Sequence, residues 1–303
     1  MIDFQRLDLK DRQTVYECFC GECRQGCEYS FVNLYLWGRQ RFAWIDGYFT
    51  VFSHYFGKSM YLYPAGHGPL RPVLEKLELD ARERGIPFRM TAMTAEDCRV
   101  VEEAMPGHFV FVPDRDGSDY LYEIDHLAEL KGKHYQPKRN HINRFLEAVP
   151  NWRTEEIGHG NLELCRKLLS DWYTAHAISD PDMDYHMEQR AADRALSHYA
   201  ALELDGLILF DGDEPLALTM GSHLCCEVFD VHFEKALGKV QGDYPMINRT
   251  FARYIREKYP RIRYLNREDD MGLPGLRKAK LSYHPDKMVE QYVCFGREEF
   301  YGG

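Results

Sequence analysis

No stretch of this chain approaches the roughly 18 consecutive apolar residues that span a bilayer, and the opening MIDFQRLDLK has neither a basic n-region nor an apolar h-region. The expected location is cytoplasmic. Surplus basic charge is missing too. Against 48 Asp and Glu stand 38 Lys and Arg, a formal net charge of −10, which argues against broad attraction to nucleic acid or anionic membrane. Neither a Gly-x-Ser-x-Gly elbow nor another nucleophile motif is present, so no covalent enzyme intermediate is expected. No Pro/Gly/Ser-rich linker or low-complexity tract interrupts the chain.

At 303 residues the chain is long enough for about two domains with their own cores. Nine cysteines without a secretory leader read as reduced thiols. Cys18, Cys20, Cys23 and Cys27 crowd together as C-x-C-x2-C-x3-C, a spacing that matches neither a zinc ribbon nor a ferredoxin run. They fall partly in a helix expected over 11–20, where cysteine acts as a small hydrophobe, so no metal is expected there. Residues 131–144 (KGKHYQPKRNHINR) carry Lys131, Lys133, Lys138, Arg139 and Arg144 and no acid. This segment reads either as a solvated helix or as a local contact for a polyanion such as tRNA.

The order of elements is written twice. In the first half, strands at 41–45 and 48–56 flank Asp46-Gly47, a strong hairpin signal. A strand at 59–63, helix at 70–84, strand at 87–92, helix at 95–105 and strand at 108–112 follow. In the second half, strands at 207–210 and 216–223 flank Asp211-Gly212, then come a strand at 227–234, helix at 244–259, strand at 261–265, short helix at 276–281 and strand at 288–295. The offset is about 165 to 180 residues, a domain-sized period. Alternating strands and helices predict an α/β architecture, and the leading hairpins predict a mixed sheet. A basic helix at 135–149 joins the halves, and helices at 162–177 and 187–204 open the second.

Two runs near the C-terminus carry the most specific wording. In residues 228–259, FEKA precedes GDYPMIN; in residues 262–292, NREDDMGLPGLRKAKLSY is unbroken. Together they resemble the C-terminal catalytic domain of phosphatidylglycerol lysyltransferases and its stand-alone relatives, a branch of the GNAT-type N-acyltransferase superfamily. The resemblance implies tandem GNAT-like lobes, 1–128 and 129–303, the second carrying the motifs, as in aminoacyl-tRNA-dependent transferases. It implies transfer of an acyl or aminoacyl group from acyl-CoA or aminoacyl-tRNA. Membrane lysyltransferases carry a transmembrane domain without counterpart in these residues, so the expected acceptor is a soluble amine or hydroxyl. A noncatalytic metabolite sensor keeping the same pocket is the alternative.

In a GNAT fold the strand ending at Glu234 splays from the strand ending at Leu265, opening a cleft beside the N-terminus of the next helix. Gly238 and Gly242 precede that helix and are candidates to cradle a donor phosphate. Asp243 at its mouth and the absence of a tight Gln/Arg-x-x-Gly-x-Gly/Ala loop weigh against coenzyme A. Gly66 and Gly68 precede a first-half helix in a similar way. Glu268, Asp269 and Asp270 follow a strand directly and are candidates to hold an amine and accept its proton; the bland alternative is an ion-paired turn. Glu234, Tyr244, Asn248, Asn266, Arg267, Arg277, Lys278 and Lys280 are candidate substrate contacts, with Arg277 favoured as a bidentate anion partner. Tyr283 and His284 are candidate proton donors.

Overall fold

The computed structural model describes residues 1–38, 40–55, 57–179 and 185–301. Along the chain run β1 (Gln5–Arg6), α1 (Arg12–Gly21), α2 (Phe31–Trp37), β2 (Arg41–Ile45), β3 (Tyr48–Tyr55), β4 (Lys58–Gly66), α3 (Leu70–Arg84), β5 (Arg89–Met93), α4 (Ala95–Ala104) and β6 (Phe109–Glu123). Then come α5 (Ile124–Glu129), α6 (Gln136–Ala148), β7 (Trp152–Glu156), α7 (Leu162–Ser179), α8 (His186–Ser197), β8 (Asp205–Asp211), β9 (Glu214–Cys225) and β10 (Val228–Ala236). The remainder is α9 (Asp243–Lys258), β11 (Tyr264–Asn266), α10 (Pro274–Leu281), β12 (Lys287–Gly296) and α11 (Arg297–Tyr301). Phe56, the expected end of β3, lies outside the described residues.

Two compact units emerge, interleaved along the chain. One comprises Met1–Tyr120, Asp269–Lys278 and Met288–Gly303; the other comprises Leu121–Glu268 and Ala279–Lys287. A single break after residue 128 does not describe this grouping, because the last strand of each half keeps company with the other half's residues. β12 pairs antiparallel with β5, Tyr292 opposite Met93 and Phe295 opposite Arg89. The tail of β6 pairs antiparallel with β11, Tyr122 opposite Leu265.

In the first unit the β2–β3 hairpin turns on Asp46 (φ 50°) and Gly47 (φ 85°), the two positive φ values of a type I′ turn. Its core gathers one face of α3, where Val73, Leu74, Leu77 and Ala81 recur at helical spacing, with Tyr61, Met90 and Phe109 from the strands and Phe88 just before β5. Gly85, at φ 67°, ends α3 by returning its N–H to Ala81 and Arg82. Thr94 and Asp97 form a capping box that starts α4.

In the second unit α9 buries Met246, Ile247, Phe251, Ala252 and Ile255, Phe251 meeting Phe229 of β10 edge to face at 5.9 Å. Gly242, at φ 99°, caps α9, and a Cβ there would lie 2.2 Å from the backbone oxygen of His141 on α6. This glycine lets two helices approach. We expect Gly242→Ala to lower stability by about 2–4 kcal/mol, measured as a fall in the urea midpoint; an unchanged midpoint would contradict the packing role.

Candidate functional site

β10 and β11 run parallel only from Val228–Tyr264 to Asp230–Asn266. Beyond that point β10 continues to Ala236 along β9, while the chain leaves β11 at Asn266. The strands therefore part beyond Asp230 and Asn266, and polar groups of the second unit collect there. Arg267 is the first residue past β11. Its Nη2 donates to Glu234 Oε1 at 2.8 Å, and Asn248 Nδ2 from α9 donates to Glu234 Oε2 at 3.0 Å. The guanidinium carbon lies 4.7 Å from the Tyr283 ring and 5.6 Å from the Tyr122 ring. Although burial opposes the charge, Glu234 and then these tyrosines raise the Arg267 pKa, keeping it cationic. Lys280 donates its ammonium to the Arg267 carbonyl.

Two atoms of this set lack partners among the described residues: Arg267 Nη1 and Asn248 Oδ1, both buried. A buried guanidinium edge without an acceptor is costly unless something else completes it. Such an edge can donate to an acceptor oxygen.

His232, which the sequence reading passed over, lies in a register shift of β10 between Val231 and Phe233. Such a bulge re-aims a side chain out of the pleat alternation. Its Nε2 is 2.8 Å from Ser222 Oγ on β9, and its Nδ1 lies 3.2 Å from Glu268 Oε1 and 3.6 Å from Asp230 Oδ2. Glu268 holds a left-handed backbone, φ 57°, its N–H received by Asn266 Oδ1 at 2.7 Å. Strain of that kind in a non-glycine residue marks a position fixed by its surroundings.

The carboxylate run divides. Glu268 belongs to the second unit with His232, whereas Asp269 and Asp270 belong to the first. Asp270 is fully buried and receives Arg277 through Nε at 2.8 Å and Nη2 at 2.7 Å, the Tyr120 hydroxyl, Arg115 at 3.3 Å and the Gly272 N–H at 2.9 Å. Burial works against its charge, but the Arg277 and Tyr120 bonds hold it well below the usual carboxylate range. This is the ion-paired turn expected as the bland alternative, and Arg277 is consumed in it, also reaching Asp116 at 2.6 Å. Asp269 accepts the Met271 N–H at 3.0 Å. Lys278 is exposed on α10.

The glycine loop is filled from within. Asp243 is buried, and its carboxylate accepts the Gly238 N–H at 2.9 Å and the Tyr244 N–H at 2.7 Å. Burial raises its pKa, opposed by those backbone bonds. The donors a phosphate would use are thus already satisfied, and Gly238 and Gly242 form the turn around this carboxylate. Tyr244, one helical turn before Asn248, accepts from Trp172 Nε1 at 3.1 Å, and burial pushes its hydroxyl up to about 12. Lys235 lies 4.0 Å over the Trp172 ring and pairs with Glu188 at 2.7 Å.

The basic segment is not one solvated face. Lys131, Lys133 and Arg144 are exposed, but Arg139 donates to the Leu130 and Gly132 carbonyls. Lys138 turns inward, 3.6 Å over the Tyr283 ring and 2.7 Å from Ser282 Oγ. In the first unit Cys18 donates to the Ala65 carbonyl at 3.6 Å and Cys27 to Asp119 Oδ1 at 3.3 Å. Gly66 donates its N–H to Glu22, so a carboxylate already occupies that loop as well. Tyr135 donates to the Tyr283 carbonyl at 2.9 Å, and His284 packs edge-on to the Tyr135 ring at 5.6 Å.

This geometry defines a mixed α/β protein of GNAT-like fold, with its polar centre where two parallel strands part. Residues 23–295 match the family described as phosphatidylglycerol lysyltransferase, C-terminal, and the chain belongs to that family. A conserved protein of unknown function from Bacteroides thetaiotaomicron VPI-5482 is 37% identical with a TM-score of 0.91, covering 98% of this chain and 100% of that one. L-PGS from Bacillus licheniformis shares the fold at 12% identity and a TM-score of 0.67, covering 98% of this chain and 94% of that one. An uncharacterized protein of Mycoplasmoides gallisepticum is 25% identical over 179 residues, 58% of this chain and 55% of that protein, so the chain spans about half the length of this curated relative. Among the described residues no helix is long and apolar enough to cross a membrane.

Proposed function

We propose that this protein transfers an acyl or aminoacyl group directly from an activated carbonyl donor to an amine or hydroxyl acceptor, where β10 and β11 part. The observation that carries this reading is the buried, unpartnered Nη1 of Arg267, beside Glu234 and Asn248. A donor carbonyl gathers negative charge as it is attacked, and a preformed guanidinium donor stabilises that charge without reorganising. The amine-holding role expected of three carboxylates narrows to Glu268, since Asp270 is committed to Arg277.

The donor is an aminoacyl ester carried by tRNA. Support comes from Asp243, whose carboxylate satisfies the N–H groups a coenzyme A pyrophosphate would need and repels that anion. Exposed Lys131, Lys133 and Arg144 are the proposed phosphate contacts. The description of the family makes a lysyl donor and phosphatidylglycerol the first pair to try, with soluble amines beside it.

The test incubates purified protein with total charged tRNA or with acyl-CoA thioesters, alone and with pooled polyamines, amino acids or phosphatidylglycerol vesicles, and follows loss of the ester or thioester. Acceptor-dependent deacylation of charged tRNA is expected, weakening steeply as salt rises. Saturable binding with every donor recovered intact would instead establish a metabolite sensor.

A further inference from the structure

Lys138 was expected on the outer face of a basic helix, and its actual surroundings are unlike those of a solvated phosphate contact. Its ammonium lies 3.6 Å over the Tyr283 ring and 2.7 Å from Ser282 Oγ, both on the segment after α10. Tyr283 is also the ring under the Arg267 guanidinium, at 4.7 Å. One aromatic ring thus carries two cations, and the second of them has the unpartnered Nη1.

We propose that Lys138 is the acid–base residue of the transfer, its amine taking the proton of the attacking nucleophile and returning it to the departing oxygen. This inference rests on the transfer reading and adds the proton's path to it. The neutral amine accepts the proton as the acceptor's N–C or O–C bond forms, and the carbonyl oxygen, now an oxyanion, takes the free edge of Arg267. Collapse breaks the ester C–O bond of the donor, and the Lys138 ammonium protonates the leaving oxygen. Lys138 ends as it began, and no co-reactant beyond donor and acceptor enters.

The electrostatics match the task. Burial first, and the Arg267 charge second, bring the Lys138 pKa down to about 8, opposed by Glu234. An amine of that strength is roughly one-tenth to one-fifth neutral near physiological pH, on the order of a hundredfold more than an ordinary lysine. The titratable groups around it are Arg267 past β11, Glu234 on β10, Tyr283 after α10 and, beneath Arg267, Tyr122 on β6. Tyr283 stays neutral through this range, because burial raises its pKa. Ser282 and the Tyr283 ring are positioning groups, holding the amine without exchanging protons at neutral pH.

Two measurements test this, one of them needing no donor. Competitive labelling of the intact protein with trace acetic anhydride across pH, read by peptide mass spectrometry against a free lysine derivative in the same tube, should give Lys138 a midpoint near 8. Single-turnover deacylation of charged tRNA with acceptor should rise with pH through the same midpoint. Lys138→Met, which keeps the apolar stem on Tyr283, should lose about 10²- to 10⁴-fold of the rate and the rising limb. Lys138→Arg should lose the limb equally, since a guanidinium does not deprotonate in this range. A Lys138 midpoint near 10, or a Lys138→Met protein with the wild-type rate and pH profile, overturns the assignment. Wild-type protein that deacylates nothing while Lys138 still labels near 8 overturns the transfer reading and this role with it, and the labelling result tells the two failures apart.

Discussion

Arg267→Ala should lower single-turnover transfer by about 10²- to 10³-fold, the loss seen when a preorganised oxyanion donor is removed. The same change strands the Glu234 carboxylate, whose side chain is only 9% exposed, and should destabilise the fold by about 3–5 kcal/mol. The two effects separate in a second variant. Arg267→Met combined with Glu234→Gln removes both charges, so stability should return while transfer stays lost. Arg267→Lys keeps a positive charge without the planar fork, and should recover little activity because the fork serves Glu234 and the ligand together. Recovery of full transfer in the double variant would show that Arg267 serves only the fold.

The second large effect falls on stability. Asp270 is wholly buried among Arg277, Arg115, Tyr120 and the Gly272 N–H, so Asp270→Ala leaves those donors facing an empty place. A loss of about 2–4 kcal/mol is expected, less than for a fully buried pair because Arg277 and Arg115 are 33% and 46% exposed and can turn to water. For a chain of this size that is several degrees of melting temperature. The sign with pH follows from the depressed carboxylate pKa. Its stabilisation is complete above the unfolded value of about 3.9 and is lost as pH falls toward the lower folded value. The gap between wild type and Asp270→Ala should therefore be constant from pH 5 to 8 and narrow below about 4. A gap that stays open in acid would mean Asp270 acts through packing alone.

Local signals carried most of the fold. The hydrophobic period of α3 and α9, the Asp46-Gly47 turn and the strand–helix order are properties of neighbouring residues, and 70–84 is read from sequence and seen in structure with the same bounds. Strand pairing is a different quantity. Nothing near 288–295 says that β12 will lie beside β5, because that choice is made by surfaces nearly 200 residues away in sequence. The site divides along the same line. Glu234, Asn248 and Arg267 were legible as family wording, and their mutual bonds confirm only that they meet. Asp269 and Asp270 read as one run with Glu268, but the contacts that group them with the first unit, and that commit Asp270 to Arg277, lie outside that run. His232 left a faint trace, a histidine just before the candidate Glu234 in DVHFE, but its place in the bulge depends on β9 register. Lys138 was hidden by its own neighbourhood, since four other cations in 131–144 made it look like one more surface charge.

The most direct measurement is the rate at which purified protein deacylates total charged tRNA with pooled acceptors, set beside the Arg267→Met/Glu234→Gln variant at equal folded concentration. The account predicts acceptor-dependent loss of the ester bond in the wild type and none above background in the variant. Equal rates in both proteins, or binding of charged tRNA with the ester intact under every acceptor, would contradict transfer at the parting of β10 and β11.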